Sequence, residues 1–183
     1  LALQPEADSA IEDIVNEAVV LDKGNDVVRL DLDHINLSDN IKSKISSEFK
    51  NVLQLIDFKN RGHEIFTRWY IDSKIYYHVI LDEKNPLKGI LELRPIDPVK
   101  IKKIRKVEKK QDRNNNVKAN VPLVNKVEEF FVYTNVDKDS IYQTTSSGIK
   151  IHTDSIVYSH SGVIDSASKK VVGYLQKALR PLN

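Results

Sequence analysis

The sequence predicts an α+β fold in which antiparallel strands and hairpins pack with about four helices, and three observations carry that expectation. Apolar residues recur at helical spacing near the beginning, the middle and the end of the chain. Between those stretches lie segments rich in β-branched and aromatic residues, bounded by turn chemistry. The densest aromatic cluster (Phe58, Phe66, Trp69, Tyr70, Tyr76 and Tyr77) falls within residues 57–104, which read as helix, strand, turn and returning strand. Helices that flank a set of strands, rather than alternating with them, argue against a doubly wound sheet. At 183 residues the chain is long enough to bury a proper core, and we expect one α+β domain over residues 1–183.

Pro5 suits the first turn of a helix, with Glu6 and Asp8 placed well for its dipole. Ala7, Ala10, Ile11, Ile14, Val15, Ala18 and Val19 keep helical spacing until Lys23-Gly24 ends it. From Val27 to His34 the residues alternate, with Val28, Leu30, Leu32 and His34 facing one way, which predicts a strand with one buried side. Ser38 or Asp39 caps a second helix striped by Ile41, Ile45, Phe49, Val52, Leu53 and Ile56. Asn60 is suited to cap a third helix running to Asp72, with Ile65, Phe66, Trp69 and Tyr70 on one side. Lys74 to Leu81 has the composition of a buried strand. Asn85-Pro86 and Lys88-Gly89 form a turn, and Ile90 to Arg94 returns.

Pro95-Ile96-Asp97-Pro98 predicts a rigid bend, because each proline fixes its own φ and keeps its predecessor extended. Val99 to Val107 mixes apolar and basic residues and reads as an extended, partly exposed arm. Gln111 to Lys126, with Asn114-Asn115-Asn116 and Val121-Pro122, reads as a flexible loop at about residues 111–126. Val127 to Thr134 is a strong strand signal, placed to return beside the arm. A turn at Thr144 to Gly148 leads to short strands at Ile149 to Ile151 and Ser155 to Ser159. Ser166 or Ser168 opens a fourth helix with Val171, Val172, Leu175, Ala178 and Leu179 on one side.

No run of about 18 apolar residues is present, which excludes a membrane-spanning helix. The first residues, Leu1 to Glu6, lack the basic-then-apolar order of a signal peptide. The absence of cysteine excludes disulfides, thiolate metal sites and cysteine nucleophiles together. Methionine is also absent, and the chain stops at Arg180-Pro181-Leu182-Asn183 within a helical pattern, so we expect a piece of a longer protein. Net charge is only +2 but unevenly spread. Residues 100–113 hold eight basic side chains against Glu108 and Asp112, whereas the first 60 residues hold twelve acids against six bases.

The catalytic patterns fall short. His63-Glu64-Ile65-Phe66-Thr67 begins like a zinc helix, but Thr67 stands where the second imidazole is needed. Asp31-Leu32-Asp33 opens like a calcium loop, yet no third acid and no glycine follow at the required offsets. Ser159-His160-Ser161-Gly162 lacks the glycine that a nucleophile elbow needs two residues before its serine. A hydrolase using His160 with a nearby hydroxyl is therefore the weakest of the alternatives. We expect no catalytic, cofactor-binding or metal-binding residue and no cofactor. The basic run Lys100, Lys102, Lys103, Arg105, Lys106, Lys109 and Lys110 is the candidate contact, to another subunit or to DNA. Its plain reading is a set of lysines that keeps an exposed edge from pairing with another. The functional alternative is a basic-arm nucleic-acid-binding domain without catalytic activity.

Several strings together resemble the portal vertex (head–tail connector) proteins of contractile-tailed, T-even-like bacteriophages. They are Asp57-Phe58 with Arg61-Gly62-His63, Arg68-Trp69-Tyr70-Ile71-Asp72, Tyr76-Tyr77-His78, and Leu93-Arg94-Pro95-Ile96-Asp97-Pro98. Ile101-Lys102-Lys103-Ile104-Arg105, Ser159-His160-Ser161-Gly162, and Leu175-Gln176-Lys177-Ala178 with Pro181-Leu182-Asn183 continue the series. Ala10 to Ala18 is similar to that family's early helix. The resemblance implies a non-enzymatic structural fragment from the wing, the outer part of a ring that usually has twelve subunits. Such a ring sits at one vertex of the virion head, having been assembled in the host bacterial cytoplasm. The resemblance further implies partners: other portal subunits, capsid protein, DNA passing through the ring, and terminase and tail or neck proteins through regions absent here. A ring subunit needs lateral contacts. The charge split leads us to expect that an acidic N-terminal surface meets a basic surface on a neighbour.

Overall fold

The computed structural model describes residues 5–20, 27–110, 123–134, 148–167 and 169–175. Three α-helices come first: α1 (Pro5–Ala18), α2 (Asp39–Leu55) and α3 (Phe58–Asp72). Six strands follow: β1 (Lys74–Leu81), β2 (Ile90–Ile96), β3 (Ile101–Lys110), β4 (Leu123–Tyr133), β5 (Ile149–Ile151) and β6 (Ile156–His160). They form two antiparallel three-stranded sheets, β2-β1-β6 and β3-β4-β5. The α+β expectation holds, with one helix fewer than expected among the described residues.

The sheets meet through a core of Tyr76, Ile101, Phe131 and Ile156, flanked by Ile96, Tyr133, Ile151 and Tyr158. Register explains why these side chains converge. Tyr76 lies opposite both Ile96 and Tyr158 in the first sheet, and Phe131 lies opposite Ile151 in the second. Residues directly opposite share a face, so each sheet offers one apolar side. The Tyr76 and Tyr158 rings stack at 4.8 Å, and Phe131 meets Tyr76 edge-on at 6.0 Å. Each fully buried side chain of this kind contributes about 1.5–3 kcal/mol. The other side of the first sheet, with Tyr77 and the buried Leu93, faces the helices. The order is therefore helices, first sheet, second sheet.

Helix α1 rests on α3 through Ile11 and Val15, one turn apart on its buried side, and the Asn16 Oδ1 to His63 Nε2 contact at 3.0 Å ties the two helices. Between α2 and α3 the chain turns sharply at Asp57, whose backbone is left-handed (φ 50°) and whose carboxylate accepts from the Asn60 amide at 2.8 Å. The sequence places Asn60 as the cap; Asp57 occupies that position instead, three residues ahead of it. Gly62 lies so close beneath the Phe58 ring that an added Cβ would stand 3.2 Å from it. Ser73, buried and left-handed (φ 64°), ends α3 and turns the chain directly into β1.

Several expectations are corrected. Val27 to His34 is not a strand, because the Asp31 carboxylate takes the Asp33 N–H at 2.9 Å and Ile35 N–H donates to Leu32, which curls the segment into a turn. Strand β2 runs on through Pro95 to Ile96, which an edge strand tolerates because the missing N–H leaves no ladder bond empty. The bend comes after it, where Asp97 accepts the N–H groups of Val99 and Lys100. β4 starts at Leu123, inside the expected loop, and residues 111–122 lie outside the described residues.

No helix opens at Ser166 within the described residues. Asp165 and Lys170 pair through the backbone, Ile164 bridges Val171, and Lys169 adopts a left-handed φ of 54°. Val171 and Val172 are β-branched and join this small loop rather than a helical turn. Ala178 and Leu179 lie outside the described residues, as does most of the Thr144 to Gly148 turn.

Candidate interaction surface

The basic run lies on β3, and β3 pairs with β4 along its whole length, from Ile101 opposite Tyr133 to Lys110 opposite Leu123. β5 covers β4 only at Phe131, Val132 and Tyr133. Beyond Ile101 and Phe131 the pair leaves the core and, among the described residues, continues as a two-stranded ribbon, the arm expected from sequence. Ile101 is buried, and every residue from Lys102 to Glu108 is exposed.

Alternation along the strand divides the cations between two faces. Lys103 and Arg105 lie on the core-side face, where both reach Glu129 of β4, at 3.0 and 3.6 Å. Those contacts, the Lys103 hydrogen bond first, hold the Glu129 carboxyl below its usual range. Lys102 and Lys106 lie on the opposite face with Ile104 between them. Lys106 touches Glu108 on its own strand at 3.3 Å, and Lys102 has no ion pair among the described residues. On that same face Lys150 of β5 pairs with Glu128 and sits 4.2 Å over the Phe130 ring. Lys100 stands at the root, its carbonyl accepting the Thr134 N–H at 2.8 Å. The strand backbone continues through Lys109 and Lys110, whose side chains lie outside the described residues.

The sequence names the cations and Glu108, but not the two β4 carboxylates, Glu128 and Glu129, that meet the others. Glu128 and Glu129 were legible only as an acidic pair beside Phe130, and their partnership needed the register. The ion pairs are solvent-exposed, so each adds little to stability.

The Ser159-His160-Ser161-Gly162 string is a clasp. The Ser161 hydroxyl donates to the Val172 carbonyl at 2.8 Å and accepts from the Val163 N–H, while His160 Nδ1 accepts from the Gly162 N–H at 3.0 Å. Both groups that a hydrolase would need are engaged in holding the loop from Ser161 to Tyr174. That loop lays the Tyr174 ring against Tyr70 (5.4 Å) and Trp69 (5.7 Å) and sends its hydroxyl to the Ser161 carbonyl. Gly173 packs on the buried Ser73, where a Cβ would stand 2.6 Å from the Ser73 hydroxyl. The aromatic side of α3 is thereby covered.

A cleft of about 400 Å³ lies between α3 and the first sheet, lined by Arg61, Arg68, Asp72, Tyr77 and Asp97 among others. Its two arginines both bind Glu64, at 3.0 and 2.8 Å. Burial pushes the Asp72 carboxyl up, and the nearby Asp97 carboxylate adds to the shift. Burial likewise raises the Tyr77 phenol, opposed by Arg61 and Arg68. No group of three or more metal-ligating side chains occurs among the described residues, and no described helix is long and apolar enough to cross a membrane.

Residues 1–183 match the family described as bacteriophage T4-like portal protein (Gp20). A portal protein of Vibrio phage KVP40 is 36% identical over 190 residues, covering 100% of this chain and 35% of the relative. A portal protein of Salmonella phage ViI is 31% identical over 193 residues, covering 100% of this chain and 34% of the relative. The chain thus spans about a third of the length of the curated relatives it matches.

Proposed function

The chain belongs to the bacteriophage T4-like portal protein family, and from that premise we propose that it is a structural, non-catalytic part of a portal subunit. The ring built from such subunits, usually twelve, stands at the head vertex, passes DNA during packaging and joins the tail. Its partners are other copies, capsid protein, and the terminase and tail or neck proteins, the last two met through regions outside this chain. In this reading the described body is one α+β unit of the ring wall, wing-like in position, whose work is to be held rigidly beside copies of itself. The single observation that carries the reading is the family match over all 183 residues.

The physical features are in accord with it. The core is filled by aromatic and branched side chains, the cleft's arginines are tied to Glu64, and the Ser-His-Ser string is spent on loop geometry. The basic-arm nucleic-acid alternative gains no support. Lys103 and Arg105 share one carboxylate and Lys106 meets another, which lowers the positive field that phosphate contacts require. Electron microscopy of the full subunit tests the proposal: closed rings with a central channel are expected, and dispersed monomers under assembly conditions would refute it.

A further inference from the structure

We propose that the β3–β4 arm lies against the acidic outer face of α1 on a neighbouring copy, forming the lateral contact of the ring; this rests on reading the chain as a ring subunit. A closed ring uses a heterologous contact, in which one patch of each subunit meets a different patch of the next. The structure supplies two such patches on opposite sides of the first sheet: the arm belongs to the second sheet, and α1 joins the body through α3 in the helical layer.

The arm is built to be covered. A two-stranded ribbon is marginal by itself in water, and this one exposes Ile104 (38%), Val107 (41%) and Val127 (44%) beyond the last core residues. On its outward face Lys102 and Lys106 flank Ile104, about 13 Å apart along the strand at roughly 3.4 Å per residue. Although Glu108 and Glu128 pair with Lys106 and Lys150 there, the four bases Lys102, Lys106, Lys126 and Lys150 leave the face basic among the described residues. Helix α1 is the complement. It carries Glu6, Asp8, Glu12, Asp13 and Glu17 and no basic residue, and none of these carboxylates makes an ion pair among the described residues. Helical spacing turns Glu6, Asp13 and Glu17 away from the buried Ile11 and Val15. That row is about 16 Å long at roughly 1.5 Å per residue. Two charged rows of similar length and opposite sign thus lie on opposite layers of one chain, where they serve adjacent copies rather than each other.

The test is a charge swap in the full subunit, read as the fraction of protein in closed rings by electron microscopy. Asp13→Lys with Glu17→Lys, or Lys102→Glu with Lys106→Glu, is expected to lower that fraction by about tenfold, because like charges then face each other. Combining both pairs is expected to restore it to within about twofold. Unchanged rings in either half-swap, or no restoration in the combined variant, would overturn the contact while leaving the ring reading intact. Half-swapped rings that form normally but lose retention of duplex DNA would assign the arm to nucleic acid instead. Absence of rings from the unaltered subunit would overturn the reading beneath the proposal.

Discussion

Phe131 and Phe130 are neighbours on one strand and live in different surroundings. Phe131 is buried between the sheets against Tyr76 and Tyr158, whereas Phe130 lies on the outward face beneath Lys150. The same division separates the two halves of the β3–β4 ribbon. Its root, at Ile101, Phe131 and Tyr133, is part of a two-sheet core, and its outer length is a solvated pair of strands edged with charge. The first sheet is covered by helices on one side and by the second sheet on the other. The shared core therefore lies in the body, and the charged outer ribbon is exposed among the described residues.

Substitutions that break or sharpen this contrast fall in a graded series. Phe131→Ala removes an aromatic from between the sheets and is expected to cost about 3–5 kcal/mol, measured as the change in urea unfolding free energy. A body that lost less than about 1 kcal/mol would mean that the sheets do not share a core. High pH probes the same place. Burial raises the Tyr76 phenol above its ordinary value, and Tyr158 beside it adds to the shift. The unfolded chain then releases this proton first, so stability is complete below about pH 10 and falls as pH rises, by at most about 1.4 kcal/mol per pH unit. Tyr76→Phe is expected to flatten that slope in a pH series of thermal melts.

Ser161→Ala removes the hydroxyl that bridges Val172 and Val163 and is expected to cost about 1 kcal/mol, with increased hydrogen exchange confined to the 161–174 loop and the end of α3. Asp72→Asn is expected to have a smaller effect of the opposite sign. The folded-state pKa of Asp72 is raised, so its contribution is full below the ordinary aspartate pKa and diminishes as pH rises. The amide should be the more stable form at neutral pH, and the advantage should vanish near pH 3 in paired denaturation curves. Ile104→Ser on the arm is expected to change the stability of the unassembled chain by less than about 0.5 kcal/mol, which separates it most sharply from Phe131→Ala.

Much of the body could be read from the residues. Lys74 to Leu81 announced β1 by its β-branched and aromatic run, and α1 and α2 announced themselves by their stripes. The arm was visible as an extended, basic segment, but its register against β4 was not, so Glu128 and Glu129 stayed out of the candidate surface. Two errors share a cause. Val27 to His34 alternates and Val171 to Leu175 has helical spacing, yet local hydrogen bonds from Asp31 and Ser161 set the backbone there. Apolar periodicity states what a segment could bury; it does not state whether a partner element is present to receive it.

Amide hydrogen exchange, compared between the chain by itself and the full subunit in assembled rings, tests the division most directly. The Tyr76 to Val79 and Phe131 to Tyr133 amides are expected to be slow in both states, and those from Lys102 to Glu108 to exchange rapidly in the free chain and slow on assembly. An arm as protected as the core before assembly, or one whose exchange stays unchanged within the ring, would contradict the account.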